Sequence, residues 1–167
     1  MGITTLKRMF SFVVFCLLQV MILNHIHLFG FITPLFYVYF LLSFEYNYPR
    51  WGILLWAFVM GVILDTFTNT PGVAAASMTF VAFIQPYFLE LFVGRDASDD
   101  TSASVRSLGA MRYTYYAAVL VLIYHLLFFS LEMFSFFNVI YWLKCVFGSS
   151  ALTLVLILFA ENIRRGK

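Results

Sequence analysis

Apolar residues run along this chain in six long blocks separated by short polar turns. The blocks cover about residues 9–24, 31–46, 51–68, 72–92, 113–134 and 138–160, each near the roughly 20 residues a helix needs to cross a bilayer. A helix satisfies its own backbone hydrogen bonds in hydrocarbon, and an open strand cannot. The pattern predicts an all-α, polytopic membrane protein: a six-transmembrane-helix bundle forming a single integral membrane domain over residues 1–167. Short connections predict antiparallel hairpins, and Pro86 predicts a kink near the end of the fourth helix. One connection is long. Residues 94–112, with Asp96, Asp99, Asp100 and several serines, read as a solvated loop between a four-helix and a two-helix unit.

Composition agrees. The chain is 63% hydrophobic and 11% charged, with 21 Phe and 10 Tyr among 167 residues, far from a soluble average. The apolar run after Lys7-Arg8 ends in Asn24-His25-Ile26-His27, without the small residues of a cleavage site, so it reads as a retained first span. Cys16 and Cys145 both fall inside apolar blocks, which argues against a disulfide framework.

Charge placement adds an orientation. With the N-terminus inside, Lys7, Arg8, Arg50, Arg95, Arg106, Arg112, Arg164, Arg165 and Lys167 share one side, and the opposite loops carry no Lys or Arg. The positive-inside rule then predicts cytoplasmic N- and C-termini and an even number of spans. Mixed charge without a basic stripe argues against nucleic-acid binding.

The candidate chemistry centres on Gly61-Val-Ile-Leu-Asp65-Thr-Phe-Thr-Asn69-Thr-Pro71-Gly72. A carboxylate at the end of an apolar helix costs free energy that a partner or a function must offset. Ala57, Gly61 and Asp65 recur at four-residue spacing on one stripe, a narrow face that lets another helix approach closely. Two readings stand side by side. Asp65 and Asn69 satisfy the backbone of the Asn-Thr-Pro-Gly turn, or the segment binds a partner or ligand. Lys144 lies at a depth comparable to Asp65, so it either pairs with Asp65 or snorkels outward.

The remaining polar positions carry weaker signals. His25 and His27 read as an interfacial or partner-contacting pair, since a metal site would need further ligands. His125 reads as a hydrogen-bonded core residue, Glu90 as a partner of Arg112 or water, and Glu132 as solvated. Gly148-Ser149-Ser150-Ala151 superficially resembles the Gly-x-Ser motif of intramembrane serine proteases. The single intramembrane base, His125, precedes it instead of following, so packing is the simpler reading. No catalytic motif is present in the sequence, and neither enzyme activity nor a metal or cofactor is expected.

Several segments together resemble the MreD family of rod shape-determining membrane proteins, most closely its Bacteroidetes-type members. They are Asn24-His25-Ile26-His27-Leu28-Phe29, Thr33-Pro34-Leu35-Phe36-Tyr37-Val38-Tyr39, Gly61-x-x-x-Asp65-x-Phe67-x-Asn69-Thr70-Pro71-Gly72, and Ala82-Phe83-x-x-Pro86. Thr33 and Gln85 stand where that pattern has a basic residue before the proline. The resemblance implies a non-catalytic subunit of the bacterial cell-elongation complex in the inner (cytoplasmic) membrane, scaffolding peptidoglycan synthesis for cell-shape control. Implied partners are MreC, a single-span protein with a large periplasmic domain, then MreB, RodA and a class B penicillin-binding protein. It also implies a fold similar to the S-components of energy-coupling-factor transporters, and hence an alternative function as a small-solute-binding transporter subunit. Asn24, His25, His27, Gly61, Asp65, Asn69, Pro71 and Gly72 form the expected partner-binding or structural region.

Overall fold

The structure, a computed structural model, describes residues 2–23, 32–45, 48–93, 103–133 and 138–165. Seven helices lie in these segments: α1 (Gly2–Met21), α2 (Val38–Leu42), α3 (Arg50–Thr68), α4 (Val73–Phe92), α5 (Val105–Leu108), α6 (Ala110–Met133) and α7 (Val139–Arg165). Among the described residues the fold is all-helical. Helices α3, α4, α6 and α7 are each long and apolar enough to cross a membrane, and the protein is a multi-pass membrane protein. Their outward positions, such as Leu55, Phe58, Phe83, Val155 and Phe159, are exposed apolar side chains. In lipid these faces carry no burial penalty.

The predicted helix boundaries for the third, fourth, fifth and last blocks agree with α3, α4, α6 and α7 to within five residues. The first helix starts earlier than expected, so Lys7 and Arg8 lie on it. Arg8 sits 3.5 Å from Glu45 and stacks over the Tyr48 ring at 4.1 Å, which holds the start of α1 beside the start of α3. Pro86 lies within an unbroken α4. Of the expected 94–112 loop, residues 94–102 lie outside the described set, while α5 and the first turn of α6 occupy much of 103–112.

The second block departs most from expectation. Instead of a helix over 31–46, among the described residues 32–45 only the five residues of α2 are helical, and residues 35–42 are all buried. This segment runs through the bundle interior alongside α7. The Thr33 amide donates to Ser149 Oγ, the Leu35 amide to Thr153 Oγ1, and the Tyr39 hydroxyl to Glu161 Oε2. From Ser149 to Glu161 a helix rises about 18 Å, a distance spanned together by the non-helical stretch at 33–35, the turn at 36–37, the start of α2 and the length of the Tyr39 side chain. Irregular backbone at membrane depth is tolerated only where protein surrounds it. Here Phe15 supplies part of that cover, its ring 5.6 Å from those of both Phe36 and Tyr39.

The helices are tied pairwise by polar contacts. Gln85 Nε2 donates to the Tyr116 hydroxyl at 2.9 Å, joining α4 to α6, and His125 meets Thr153 between α6 and α7. Arg50 donates to the Tyr87 hydroxyl, and Phe92 packs on Tyr116, so the start of α3, the end of α4 and the start of α6 lie together. Lys7, Arg8, Arg50, Arg106, Arg112 and Arg164 therefore gather at one end of the bundle. Asp65 and Lys144 lie toward the other.

Candidate functional site

The α3–α4 hairpin is built around Asp65. Asn69 ends α3 in the left-handed region (φ 57°) and Gly72 opens α4 with φ 84°, so the chain reverses within three intervening steps. Gly72 has no side chain with which to cap α4. Asp65, from the last turn of α3, supplies what is missing: its Oδ1 accepts the Ala74 amide at 2.8 Å and its Oδ2 the Ala75 amide at 2.9 Å. These are the second and third amides of α4, the pair an N-cap side chain normally satisfies. The Thr70 hydroxyl donates to Oδ1 at 3.1 Å, and Thr68 and Thr70 share a hydroxyl contact of 2.6 Å. A carboxylate at a helix N-terminus is further favoured by the helix dipole.

The small-residue stripe makes that cap reachable. Ala57, Gly61 and Asp65 are all buried. A β-carbon on Gly61 would collide with the α4 backbone, 2.6 Å from the Ala75 nitrogen and 2.9 Å from the Ala74 carbonyl carbon. Gly61, Asp65, Asn69, Pro71 and Gly72 thus share one hairpin, in which the Asp65 carboxylate holds the backbone just past the Asn-Thr-Pro-Gly turn, at Ala74 and Ala75, and Asn69 contributes its left-handed backbone.

Other expectations are redirected. Lys144 is exposed on α7, and among the described residues no ion pair joins it to Asp65, whose oxygens are taken up by backbone and Thr70. The pairing fails because a helix terminus on the adjoining helix already satisfies the carboxylate. Glu90 and Arg112 are both exposed, and no ion pair between them is found among the described residues. Asn24, His25 and His27 lie outside the described residues.

His125 is fully buried, as a core residue should be, and belongs to a directional chain. The Leu35 amide donates to Thr153 Oγ1 at 3.1 Å; Thr153 meets His125 Nε2 at 3.2 Å; Nδ1 lies 2.8 Å from the Val121 carbonyl. A carbonyl only accepts, so Nδ1 carries a proton, and in the neutral ring Nε2 accepts from Thr153. His125 therefore binds Thr153 and neither serine of the Gly148–Ala151 segment. Ser149 instead accepts the Thr33 amide, and Ser150 donates to the Phe147 carbonyl.

Three residues that sequence reasoning passed over carry comparable duties. Gln19, 1% exposed, donates to the Pro34 carbonyl and accepts the Phe36 amide. Thr153 is described above. Glu161, 2% exposed, accepts from Tyr39 at 2.6 Å and from the Val105 amide at 3.1 Å, with Arg164 at 3.8 Å. For Gln19 and Thr153 the signal that could have exposed them is a polar side chain inside an apolar helix with no bond to its own helix; Glu161, with Arg164 three residues on, reads in sequence as an ordinary i,i+3 pair.

Beside the hairpin, a lipid-facing groove of about 560 Å³ follows α3 and α4. Gly72, Ala75, Ala76 and Thr79 form its floor, and Phe58, Phe80 and Phe83 stand along it. A recess at the turn, bounded by Val62, Asp65, Asn69 and Pro71, adjoins it through Gly72. Set against models of protein families, curated proteins and solved structures, the chain gives no match.

Proposed function

We propose that the protein is a non-catalytic membrane subunit of the bacterial rod complex, docking the transmembrane helix of a single-span partner of the MreC kind. The observation that carries this reading is the α3–α4 groove, where Gly72 and Ala76, four residues apart, are both exposed. Lipid offers no hydrophobic drive between helices, so association relies on close packing at small residues. Gly72 and Ala76 permit such an approach, and the flanking Phe side chains close over an inserted helix. The motif from Gly61 to Gly72 that carries the resemblance is the same hairpin that forms the groove.

In this reading the chain crosses the inner membrane six times, counting α1 and the interior segment. Its fold is then similar to energy-coupling-factor S-components, and both termini are cytoplasmic. The gathering of arginines at one end supports that orientation. The peptidoglycan-synthesis partners, RodA and a class B penicillin-binding protein, join through the assembled complex, with MreB on the cytoplasmic side.

Co-purification in mild detergent tests the proposal. The full chain should retain an MreC-type partner, and Ala76→Trp should lose it while migrating as a folded monodisperse protein. Equal recovery of the partner with Ala76→Trp would reject the groove as the docking face.

A further inference from the structure

A second concavity lies inside the Asp65 end of the bundle, separate from the lipid-facing groove. It encloses about 490 Å³, within the range of small-molecule clefts. It is walled by the last turns of α3 and α6, the start of α7 and the interior segment. Its surface is mostly apolar and aromatic, with Leu64, Phe128, Phe129, Tyr37 and Tyr141 among the lining side chains.

One lining residue is charged. Glu132, on the last turn of α6, makes no hydrogen bond or ion pair among the described residues. The other polar groups around it are already engaged. Tyr37 bonds the Tyr124 hydroxyl, Thr70 donates to Asp65, and both polar atoms of Gln19 hold the interior segment. Lys144 does not line the cavity: Tyr141 and Cys145 turn toward it, while Lys144 is exposed.

A carboxylate without a partner among the described residues, lining the same cavity as aromatic side chains, selects against anions and for organic cations. It supplies the counter-charge, and ring faces attract an ammonium by their quadrupole. We infer that this cavity binds a small organic ammonium ion, its charge held at Glu132 and its apolar body against Leu64, Phe128 and Phe129. This site goes beyond the scaffold role and does not depend on it. The ammonium has two possible sources, a free amine or the headgroup of phosphatidylethanolamine, because Glu132 sits at the end of its helix, at headgroup depth.

Isothermal titration of the full chain in uncharged maltoside micelles tests the inference, with 2-phenylethylamine, 2-phenylethanol and 3-phenylpropionate as matched probes. The amine should bind saturably and about tenfold or more tighter than the other two, as expected for one charge-assisted contact. Glu132→Gln, a change at an accessible side chain, should abolish that preference. Phosphatidylethanolamine added to the micelles should compete if the headgroup is the source, with phosphatidylglycerol as control; absence of competition assigns the site to a free amine. Three probes binding alike, a preference that survives Glu132→Gln, or no saturable binding of the amine would each overturn the inference.

Discussion

Gly61 and Ala75 face each other across the α3–α4 hairpin with no room for a β-carbon between them, 2.6 Å separating the Ala75 nitrogen from where that carbon would stand. The neighbouring atoms are backbone, so no side chain can swing aside. The helices would have to separate, which would also draw Asp65 away from the amides it caps.

Gly61→Ala is therefore expected to destabilise the protein by more than its added methyl suggests. Overpacking alone costs about 1–3 kcal/mol, and the weakened cap adds to it. A lower apparent melting temperature in detergent would register the effect. A melting temperature equal to wild type would show that the hairpin relaxes without loss.

Asp65→Ala leaves the Ala74 and Ala75 amides without acceptors at a buried site. A loss of about 1–3 kcal/mol is expected. Lys144→Met should leave stability within about 0.5 kcal/mol, as surface changes usually do, and the double variant should equal the sum. A Lys144 effect that vanishes in the Asp65→Ala background would instead restore the ion pair. The comparison needs only thermal or reversible chemical unfolding of four proteins.

Thr153→Val keeps the side-chain volume and removes the hydroxyl that links Leu35 to His125. Destabilisation by about 1–3 kcal/mol is expected from the orphaned Leu35 amide. Because His125 shares that hydroxyl, Thr153→Val and His125→Leu should be non-additive, with coupling of roughly 0.5 kcal/mol or more. Additive losses would mean that the chain is not a unit.

Glu161→Gln weakens the acceptor of both Tyr39 and the Val105 amide. Hydrogen exchange should quicken across Val105–Leu108, which Glu161 ties to α7, while exchange in α3 and α4 stays unchanged. Unaltered exchange in α5 would show that its Ser104–Ser107 capping box suffices alone.

The α3–α4 hairpin was legible in the sequence. Gly61, Asp65, Asn69 and Gly72 are each required by something local: a close approach, a cap, a left-handed turn residue and a positive φ. Residues that act within one hairpin leave their spacing in the chain. Lys144 illustrates the opposite case, since matching depth along two helices says nothing about which faces they present to each other.

The interior segment marks the boundary between the two kinds of information. Its hydropathy predicts burial in an apolar medium, and burial is what the structure shows for residues 35–42. Hydropathy is blind to whether that medium is lipid or protein. In lipid the whole segment would have to be helical to satisfy its own amides; surrounded by protein, its Thr33, Leu35 and Phe36 amides borrow acceptors from Ser149, Thr153 and Gln19, and helix is confined to Val38–Leu42. The apolar class of the protein, its long helices and its charge asymmetry follow from the order of residues alone, because solvent transfer and helix periodicity are local properties. Which buried polar groups meet, and the cavity left at Glu132, depend on contacts more than a hundred residues apart, such as Thr33 with Ser149. Only the packed tertiary structure decides those.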